Sequence, residues 1–302
     1  KYNWQTPQTA YWSLHANLFN KLPSKDSEGN PIRNLRGRSL GHNYFKLNCV
    51  NNNGERIEIM NGMTMESYPS DYRGEFHWIG GSGKYGMAFL FHNFTGRLDI
   101  RDQSADADRA NVLRDLNARK NMAPYMMYDG NSRKSQLREA LSFIRFEISG
   151  DQCQELVNYF EDFKRFGGNN RYGFMVHPLN SEGEINIGPE LGSGCSEFVT
   201  SFIQKAGLMK PEFVTKWKRN LYIPNELIGT RENPVRRRTM QSNTLSWGKR
   251  VDSRHTLLSF WDPELMHEWA LQMHDRAKGI SMEKTSEGRA KGILIKKTEL
   301  SE

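Results

Sequence analysis

The stretch Gly192-Ser-Gly-Cys-Ser-Glu-Phe-Val199 joins a glycine-rich turn to the start of an apolar helical pattern. Apolar residues continue at helical spacing through residues 198–206, and Gly207 stands where a helix of this length would end. The pattern predicts a helix that begins at Cys195 and buries one face. The sharp turn before it places that cysteine at the helix N-terminus.

Cys195 is a candidate nucleophile because the first turn of a helix favours a thiolate over a thiol. The unpaired N–H groups and the helix dipole both stabilise negative charge there. The backbone N–H of Cys195 would also help to bind the oxyanion of a tetrahedral intermediate. The alternative is that Cys195 is a small buried residue at a helix start, and the sequence leaves both interpretations open.

A β-hairpin is predicted over residues 42–61, because two strand-like segments flank the turn residues Asn51-Asn-Asn-Gly54. His42 begins the first arm, and the residues near Asn61 are expected opposite it. Asn61, or Glu58 as an alternative, would hydrogen-bond the imidazole and orient it as a base. A structural role for His42 at a strand end is the other interpretation.

Further elements are predicted from hydrophobic periodicity and from capping signals. The predicted helices cover residues 10–19, residues 149–166, which start with the cap sequence Ser149-Gly-Asp-Gln152, and residues 263–277. The predicted strands lie at residues 74–79, 87–93, 97–101, 141–148 and 172–177. The Lys-rich segment from about Gly279 is expected to be a peripheral, poorly ordered tail.

Several short motifs together resemble the circularly permuted papain-like superfamily, in which the catalytic histidine precedes the cysteine. They are Gly41-His42 before a strand, the helix introduced by Ser149-Gly-Asp-Gln152, Tyr172, and Gly194-Cys-Ser-x-Phe-Val199. The superfamily includes bacterial cell-wall peptidases and relatives of lecithin:retinol acyltransferase. The resemblance covers about residues 38–225. The long gap between the histidine and the cysteine departs from the family pattern and leaves the substrate open.

The resemblance implies an α+β fold in which an antiparallel sheet packs against the helix that bears the nucleophile. It divides the chain into an N-terminal extension (1–37), a permuted papain-like catalytic domain (38–228) and a basic C-terminal extension with one helix and a polar tail (229–302). It assigns Cys195 as the nucleophile and His42 as the general base. It assigns Asn61 to the third catalytic position less specifically, because that position varies in such families.

The activity that the resemblance implies is a thiol-dependent hydrolase, a peptidase or amidase, that forms an acyl-cysteine intermediate. Its substrate would be a peptide, peptidoglycan or an acyl compound, and neither a metal nor an organic cofactor is needed. A cysteine acyltransferase acting on a lipid or protein is the closest alternative. The resemblance favours a bacterial cell-envelope or secreted protein.

Composition limits these possibilities. The three cysteines, Cys49, Cys153 and Cys195, cannot all pair within one chain and have no zinc-ligand spacing, so neither a disulfide framework nor a structural zinc site is expected. The longest apolar run, Met87-Ala-Phe-Leu-Phe91, is too short to cross a bilayer. The net charge of +7 suits peripheral contact with an anionic surface.

Three other features of the sequence compete with the thiol site. Gly81-Ser-Gly-Lys-Tyr-Gly86 fits a dinucleotide fingerprint, but a strand-like segment follows it instead of the required helix. His177 is an alternative base because it lies nearer to Cys195 in the chain. The basic and aromatic region 231–250 suggests a non-catalytic binding module for an anionic polymer or nucleic acid. No nucleic-acid motif accompanies that region, which argues against the nucleic-acid alternative.

Overall fold

A computed structural model describes residues 42–67, 93–98, 113–121 apart from 115 and 119, 125–128, 135–138, 141–188, 191–229, 233, 235, 252–277 and 282–296. Within them the protein is a mixed α+β structure with small sheets and few helices. Several predictions lie outside the described residues: the helix at 10–19, the strand at 74–79, most of the strand at 87–93, the glycine motif at 81–86 and most of the basic region 231–250.

The strands of the described residues are, in chain order, β1 (Phe45–Val50), β2 (Arg56–Asn61), β3 (Met63–Ser67), β4 (Asn93–Leu98), β5 (Tyr125–Tyr128), β6 (Ser135–Arg138), β7 (Ser142–Phe146), β8 (Arg171–Gly173), β9 (Lys218–Pro224), β10 (His255–Trp261), β11 (Met282–Glu287) and β12 (Ala290–Ile295). The α-helices named in this region are α1 (Gly150–Arg165), α2 (Cys195–Lys205), α3 (Pro211–Trp217) and α4 (Pro263–Arg276).

The predicted hairpin is confirmed. Strands β1 and β2 pair antiparallel, with Phe45 opposite Asn61 at the open end. At the closed end Gly54 adopts φ 78°, a conformation that glycine reaches without strain. His42 lies three residues before β1, at the open end of the hairpin.

The other sheets are small. Strand β4 pairs antiparallel with both β3 and β8, β9 pairs antiparallel with β10, and β5 pairs antiparallel with β6. The remaining sheet has the order β11-β12-β7, in which β12 runs parallel to β7. The strand predicted at 141–148 is present as β7.

Two predicted strands differ from those in the structure. The strand predicted at 97–101 overlaps β4 (Asn93–Leu98) in its first two residues, and β4 begins four residues before the predicted start; residues 99–101 lie outside the described residues. The strand predicted at 172–177 is only the three residues of β8, because the chain turns after Gly173, whose carbonyl accepts a hydrogen bond from the N–H of Val176 (3.5 Å). Apolar composition extended the prediction beyond the point where the chain turns.

Helix α1 is confirmed together with its capping box. The Ser149 hydroxyl accepts a hydrogen bond from the N–H of Gln152 (3.2 Å), and the Gln152 side chain accepts one from the N–H of Ser149 (2.8 Å). The apolar spacing that predicted the helix forms its buried face, which consists of Cys153, Leu156, Tyr159, Phe160 and Phe163.

Helix α2 is also confirmed, from Cys195 to Lys205, with Gly207 after it at φ 70°. Nearly all of this helix is buried, including its polar side chains. One of these, Ser201, accepts a hydrogen bond from the Tyr159 hydroxyl of α1 (2.7 Å). A helix buried on every side belongs to the protein interior, so α2 is a central element.

Phe45 of β1 packs the hairpin onto both of these helices. Its ring stacks on Phe202 at 3.9 Å between centroids and meets Phe198 edge-on at 5.5 Å. It also contacts Phe160 of α1 at 5.9 Å. This aromatic cluster fixes the start of the hairpin beside α2.

The prediction of a peripheral polar tail is wrong for residues 282–295. These residues form β11 and β12, and Ile293 and Ile295 are fully buried. Four of the six residues of β12 are buried, namely Ala290, Gly292, Ile293 and Ile295, and this pattern lacks the strict alternation that would mark a strand in a Lys-rich segment. It is held against α4, where the His274 imidazole hydrogen-bonds the carbonyl of Gly292 (2.8 Å).

The sequence predicts no disulfide framework, but the structure contains one disulfide, which that prediction did not include. Cys49 of β1 and Cys153 of α1 are bonded to each other across 104 residues of sequence, which leaves Cys195 as the free thiol. An odd number of cysteines excludes complete pairing but not one pair, and only the tertiary packing brings these two together. The bond attaches the hairpin to α1.

Replacing both Cys49 and Cys153 with serine should lower the free energy of unfolding by about 2–5 kcal/mol, because the cross-link closes a long loop in the unfolded chain. Denaturant titration would measure the difference, with Cys195→Ser as the matched control that keeps the cross-link. Alkylation of the unfolded, unreduced protein should modify one thiol. Modification of three thiols would contradict the pairing.

Candidate functional site

The turn before α2 is shaped by close backbone packing. A Cβ atom on Gly192 would lie 1.9 Å from the carbonyl carbon of Arg171 in β8, so no side chain fits there. Gly194 then serves as the N-cap in an extended conformation (φ −72°, ψ 165°). Cys195 follows as the first helical residue, where the N–H groups of the first turn are still unpaired within the helix. Its side chain is buried, with 8% of its surface exposed.

The structure brings His42 and Cys195 together, although they are far apart in the chain. The His42 side chain hydrogen-bonds the Cys195 sulfur. The imidazole is supported on another side by the ring of Tyr44, which it meets edge-on at 4.5 Å. The contact between His42 and Cys195 depends on the hairpin, because Phe45, three residues after His42, makes aromatic contacts with α2.

Asn43 is a site residue that the sequence analysis missed. Its backbone N–H donates a hydrogen bond to the Cys195 sulfur. Its side-chain amide donates to the Ser196 hydroxyl (2.8 Å) and also contacts the sulfur of Met266 in α4 (3.2 Å). Asn43 thus joins the start of the hairpin to the first turn of α2. Its position directly after His42 in the sequence was the feature that could have indicated it as a site residue.

Electrostatics at the site favour the thiolate. Burial alone raises the pKa of the Cys195 thiol, but the positive charge and hydrogen bond of His42 act against it. Hydrogen bonds from the backbone of Asn43 and from Ser196 add to this effect, and the net result is a pKa below the ordinary value of a cysteine. The arrangement can therefore hold a thiolate beside an imidazolium.

Tyr172 of β8 lies on another side of the same sulfur. Its hydroxyl donates a hydrogen bond to the Cys195 sulfur and accepts one from the Cys195 backbone N–H. Burial raises the pKa of Tyr172 well above its usual value, and the negative charge of the Cys195 thiolate raises it further. The hydroxyl therefore stays protonated and available as a donor.

Glu197 is a second residue that the sequence analysis missed, although it belongs to the quoted stretch. Its carboxyl group is buried in the first turn of α2 and accepts a hydrogen bond from the N–H of Trp261 (3.1 Å). Burial raises its pKa well above the usual value, and the nearby Cys195 charge raises it further. A glutamate three residues after an N-cap position normally indicates a capping role at the surface. The sequence pattern therefore did not indicate that Glu197 is buried.

The predicted orienting residue, Asn61, is buried at the open end of the hairpin, beside the segment that carries His42. Its side-chain oxygen accepts no hydrogen bond from any residue that the structure describes. Glu58, the alternative, lies opposite Asn48, about 10 Å further along the strand than Asn61. Its carboxylate is half exposed and pairs with Lys46 (3.3 Å).

His177, the alternative base, is held elsewhere. Its Nδ1 atom lies 3.0 Å from the carbonyl of Leu179, and its Nε2 atom has no hydrogen-bond partner among the described residues. Burial lowers its pKa. Its ring lies 6.4 Å from that of Trp261, so it packs near the site without bonding the thiol.

Comparison with known proteins gives no guide to this site: no family model matches the chain, and no curated protein or solved structure matches it significantly. Within the described ranges, no three His, Cys, Asp or Glu side chains cluster as a metal site would require. In that same part of the chain, every helix is too short or too polar to cross a bilayer.

Replacing His42 with alanine should raise the pKa of the Cys195 thiol, because both the cationic partner and its hydrogen bond are lost. The rate of alkylation by iodoacetamide, measured against pH, should then begin to rise at a higher pH than in the unaltered protein. His177→Asn is the matched control and should leave the profile in place. If the alkylation profile shifts in His177→Asn and not in His42→Ala, the pairing of His42 with Cys195 is contradicted.

Proposed function

We propose that this protein is a thiol-dependent hydrolase of the permuted papain-like type, which cleaves an amide or ester bond through an acyl-cysteine intermediate. One observation carries the proposal: a buried thiol at a helix N-terminus has its pKa lowered by a hydrogen-bonded histidine. The histidine comes from a hairpin that precedes the cysteine in the chain, which is the order of the permuted family.

In the first half of the reaction, His42 takes the proton of Cys195, and the thiolate attacks the substrate carbonyl carbon. A C–S bond forms while the carbonyl π electrons move onto the oxygen. The imidazolium of His42 then gives its proton to the leaving amine or alcohol, and the bond to that group breaks. The acyl group stays on the sulfur.

In the second half, His42 accepts a proton from water, and the resulting hydroxide attacks the acyl-cysteine carbonyl. The C–S bond breaks, the sulfur leaves as a thiolate, and the carboxylic acid is released. An amine or alcohol in place of water would turn the same site into an acyltransferase, which is the alternative class. The two are distinguished by whether an added nucleophile appears in the product.

A donor next to the sulfur supports the transition state. The hydroxyl of Tyr172 lies beside the atom that attacks, and its oxygen is held by the backbone N–H of Cys195. As negative charge moves from the sulfur to the carbonyl oxygen, we expect the Tyr172 hydroxyl to donate to that oxygen, as in an oxyanion hole. The high pKa of Tyr172 keeps its proton on the phenol throughout.

Asn61 remains the proposed orienting residue. Its buried side-chain oxygen lacks a partner among the described residues, and a buried acceptor left unsatisfied costs about 1–3 kcal/mol. A bond to the His42 imidazolium would satisfy that oxygen as the histidine becomes charged. Asn61 lies opposite Phe45 in the β1–β2 register, at the open end of the hairpin that His42 precedes.

The disulfide supports the proposed location. Structural disulfides persist in oxidising compartments, such as the bacterial periplasm and the extracellular space, and are rare in the cytosol. The Cys49–Cys153 bond is therefore what a secreted or cell-envelope enzyme would carry. Cell-wall peptides are the substrates that fit this location, and the net charge of +7 favours an anionic polymer nearby.

Replacing Cys195 with alanine should lower kcat/KM on cell-wall peptides and acyl esters by at least about 10³-fold, because the sulfur that carries the acyl intermediate is lost. His177→Asn should keep most of the activity. Thermal unfolding of both variants would show that the fold is intact. Equal activity of the alanine variant and the unaltered protein would exclude this function.

Replacing Tyr172 with phenylalanine removes one hydroxyl and keeps the ring. We expect kcat to fall by about 10²-fold with little change in KM, as for other single oxyanion donors. Steady-state kinetics on the same substrates would measure the two constants separately. A change confined to KM would mean that Tyr172 binds substrate and does not stabilise the transition state.

A further inference from the structure

Glu197 is a buried carboxyl group for which the proposed reaction has no step. Only 3% of its surface is exposed, and it lies two residues after the nucleophile in the first turn of α2. Within the described residues, no Lys, Arg or His forms an ion pair with it. A buried glutamate without a cation is costly to keep ionised, so its role needs an explanation.

The two oxygens of this carboxyl group connect three elements. The Oε1 atom accepts the N–H of Trp261, at the end of β10. The Oε2 atom folds back over the N-cap, where a Cβ on Gly194 would lie 2.4 Å from it. The carbonyl oxygen of Gly173 in β8 lies 3.0 Å from that same Cβ position. Glu197 therefore occupies the point where α2, β8 and β10 meet.

We propose that Glu197 is a positioning residue that acts as an uncharged carboxylic acid and fixes the first turn of α2, with Cys195, against β8 and β10. This inference rests on the proposed function, since it concerns the placement of the same nucleophile. It also makes β10 part of the site, because the C-terminal segment supplies the N–H of Trp261. The site is incomplete without residues that the sequence analysis assigned to an extension.

The groups that face Glu197 favour the uncharged form. Its burial and the negative charge of the Cys195 thiolate both oppose ionisation, and they outweigh Lys218 and the backbone N–H groups that favour it. An ionised carboxylate would also repel the thiolate. The protonated acid can instead offer its O–H to an acceptor, while Oε1 keeps its bond to Trp261.

Glu197→Gln is the decisive variant, since glutamine is uncharged and nearly the same shape. We expect it to leave the pKa of Cys195 unchanged and to keep kcat within about threefold, because the glutamine amide reproduces both an acceptor and a donor. Glu197→Ala should fold but lose at least about tenfold in kcat, because small displacements of a nucleophile reduce rates strongly. Glu212→Gln, a change at an exposed glutamate in the first turn of α3, is the matched control.

The measurements are the pH profile of alkylation of Cys195, kcat on the peptide and ester substrates, and the infrared carbonyl band of a protonated carboxylic acid. That band should be present at neutral pH and absent in Glu197→Gln. A missing band, or a thiol pKa that falls by about one unit in Glu197→Gln, would show an ionised carboxylate and overturn the proposal. Full activity in Glu197→Ala would overturn the positioning role.

The alkylation profile and the infrared band require no substrate. They therefore test the state of Glu197 even if the hydrolase activity is absent. If Cys195→Ala and the unaltered protein show the same activity on every substrate, the proposed function fails. The proposal for Glu197 fails instead if the infrared band is missing or if the thiol pKa falls in Glu197→Gln. The two failures are therefore distinguishable.

Discussion

The packing of Phe45 against α2 is the contact on which the site depends. Its stacking on Phe202 and its edge contact with Phe198 hold the open end of the β1–β2 hairpin beside the helix. Each such aromatic pair contributes about 0.5–1.5 kcal/mol beyond burial of area. His42 lies three residues from Phe45, so the same contacts that form the core bring the imidazole to the sulfur of Cys195.

Three further interactions hold this arrangement in place. The Cys49–Cys153 disulfide attaches the same hairpin to α1, and the Tyr159–Ser201 hydrogen bond attaches α1 to α2. Asn43 then joins the start of the hairpin to the first turn of α2 through Ser196. The hairpin is held at its strand, at its start and through a neighbouring helix, which leaves His42 little freedom to leave the thiol.

In the interior around Cys195, only one pair of opposite charges is favourable, the Cys195 thiolate and the His42 imidazolium. The thiolate is stabilised by His42 and by backbone N–H groups, while Tyr172 and Glu197 have raised pKa values and so remain protonated beside it. Repulsion between negative groups in a poorly solvated site produces this pattern. It lets neighbouring acids donate hydrogen bonds and add no competing charge.

The sequence by itself determined the local elements: the β1–β2 hairpin from its turn residues, α1 from its capping box, and α2 from its spacing and from Gly207. It also predicted Cys195 and His42 as candidate site residues, since both stand at the predicted ends of those elements. Only the tertiary structure decided the disulfide, the burial of β12 and the roles of Asn43 and Glu197. Those features arise where distant segments pack together, and local periodicity carries no information about which segments meet.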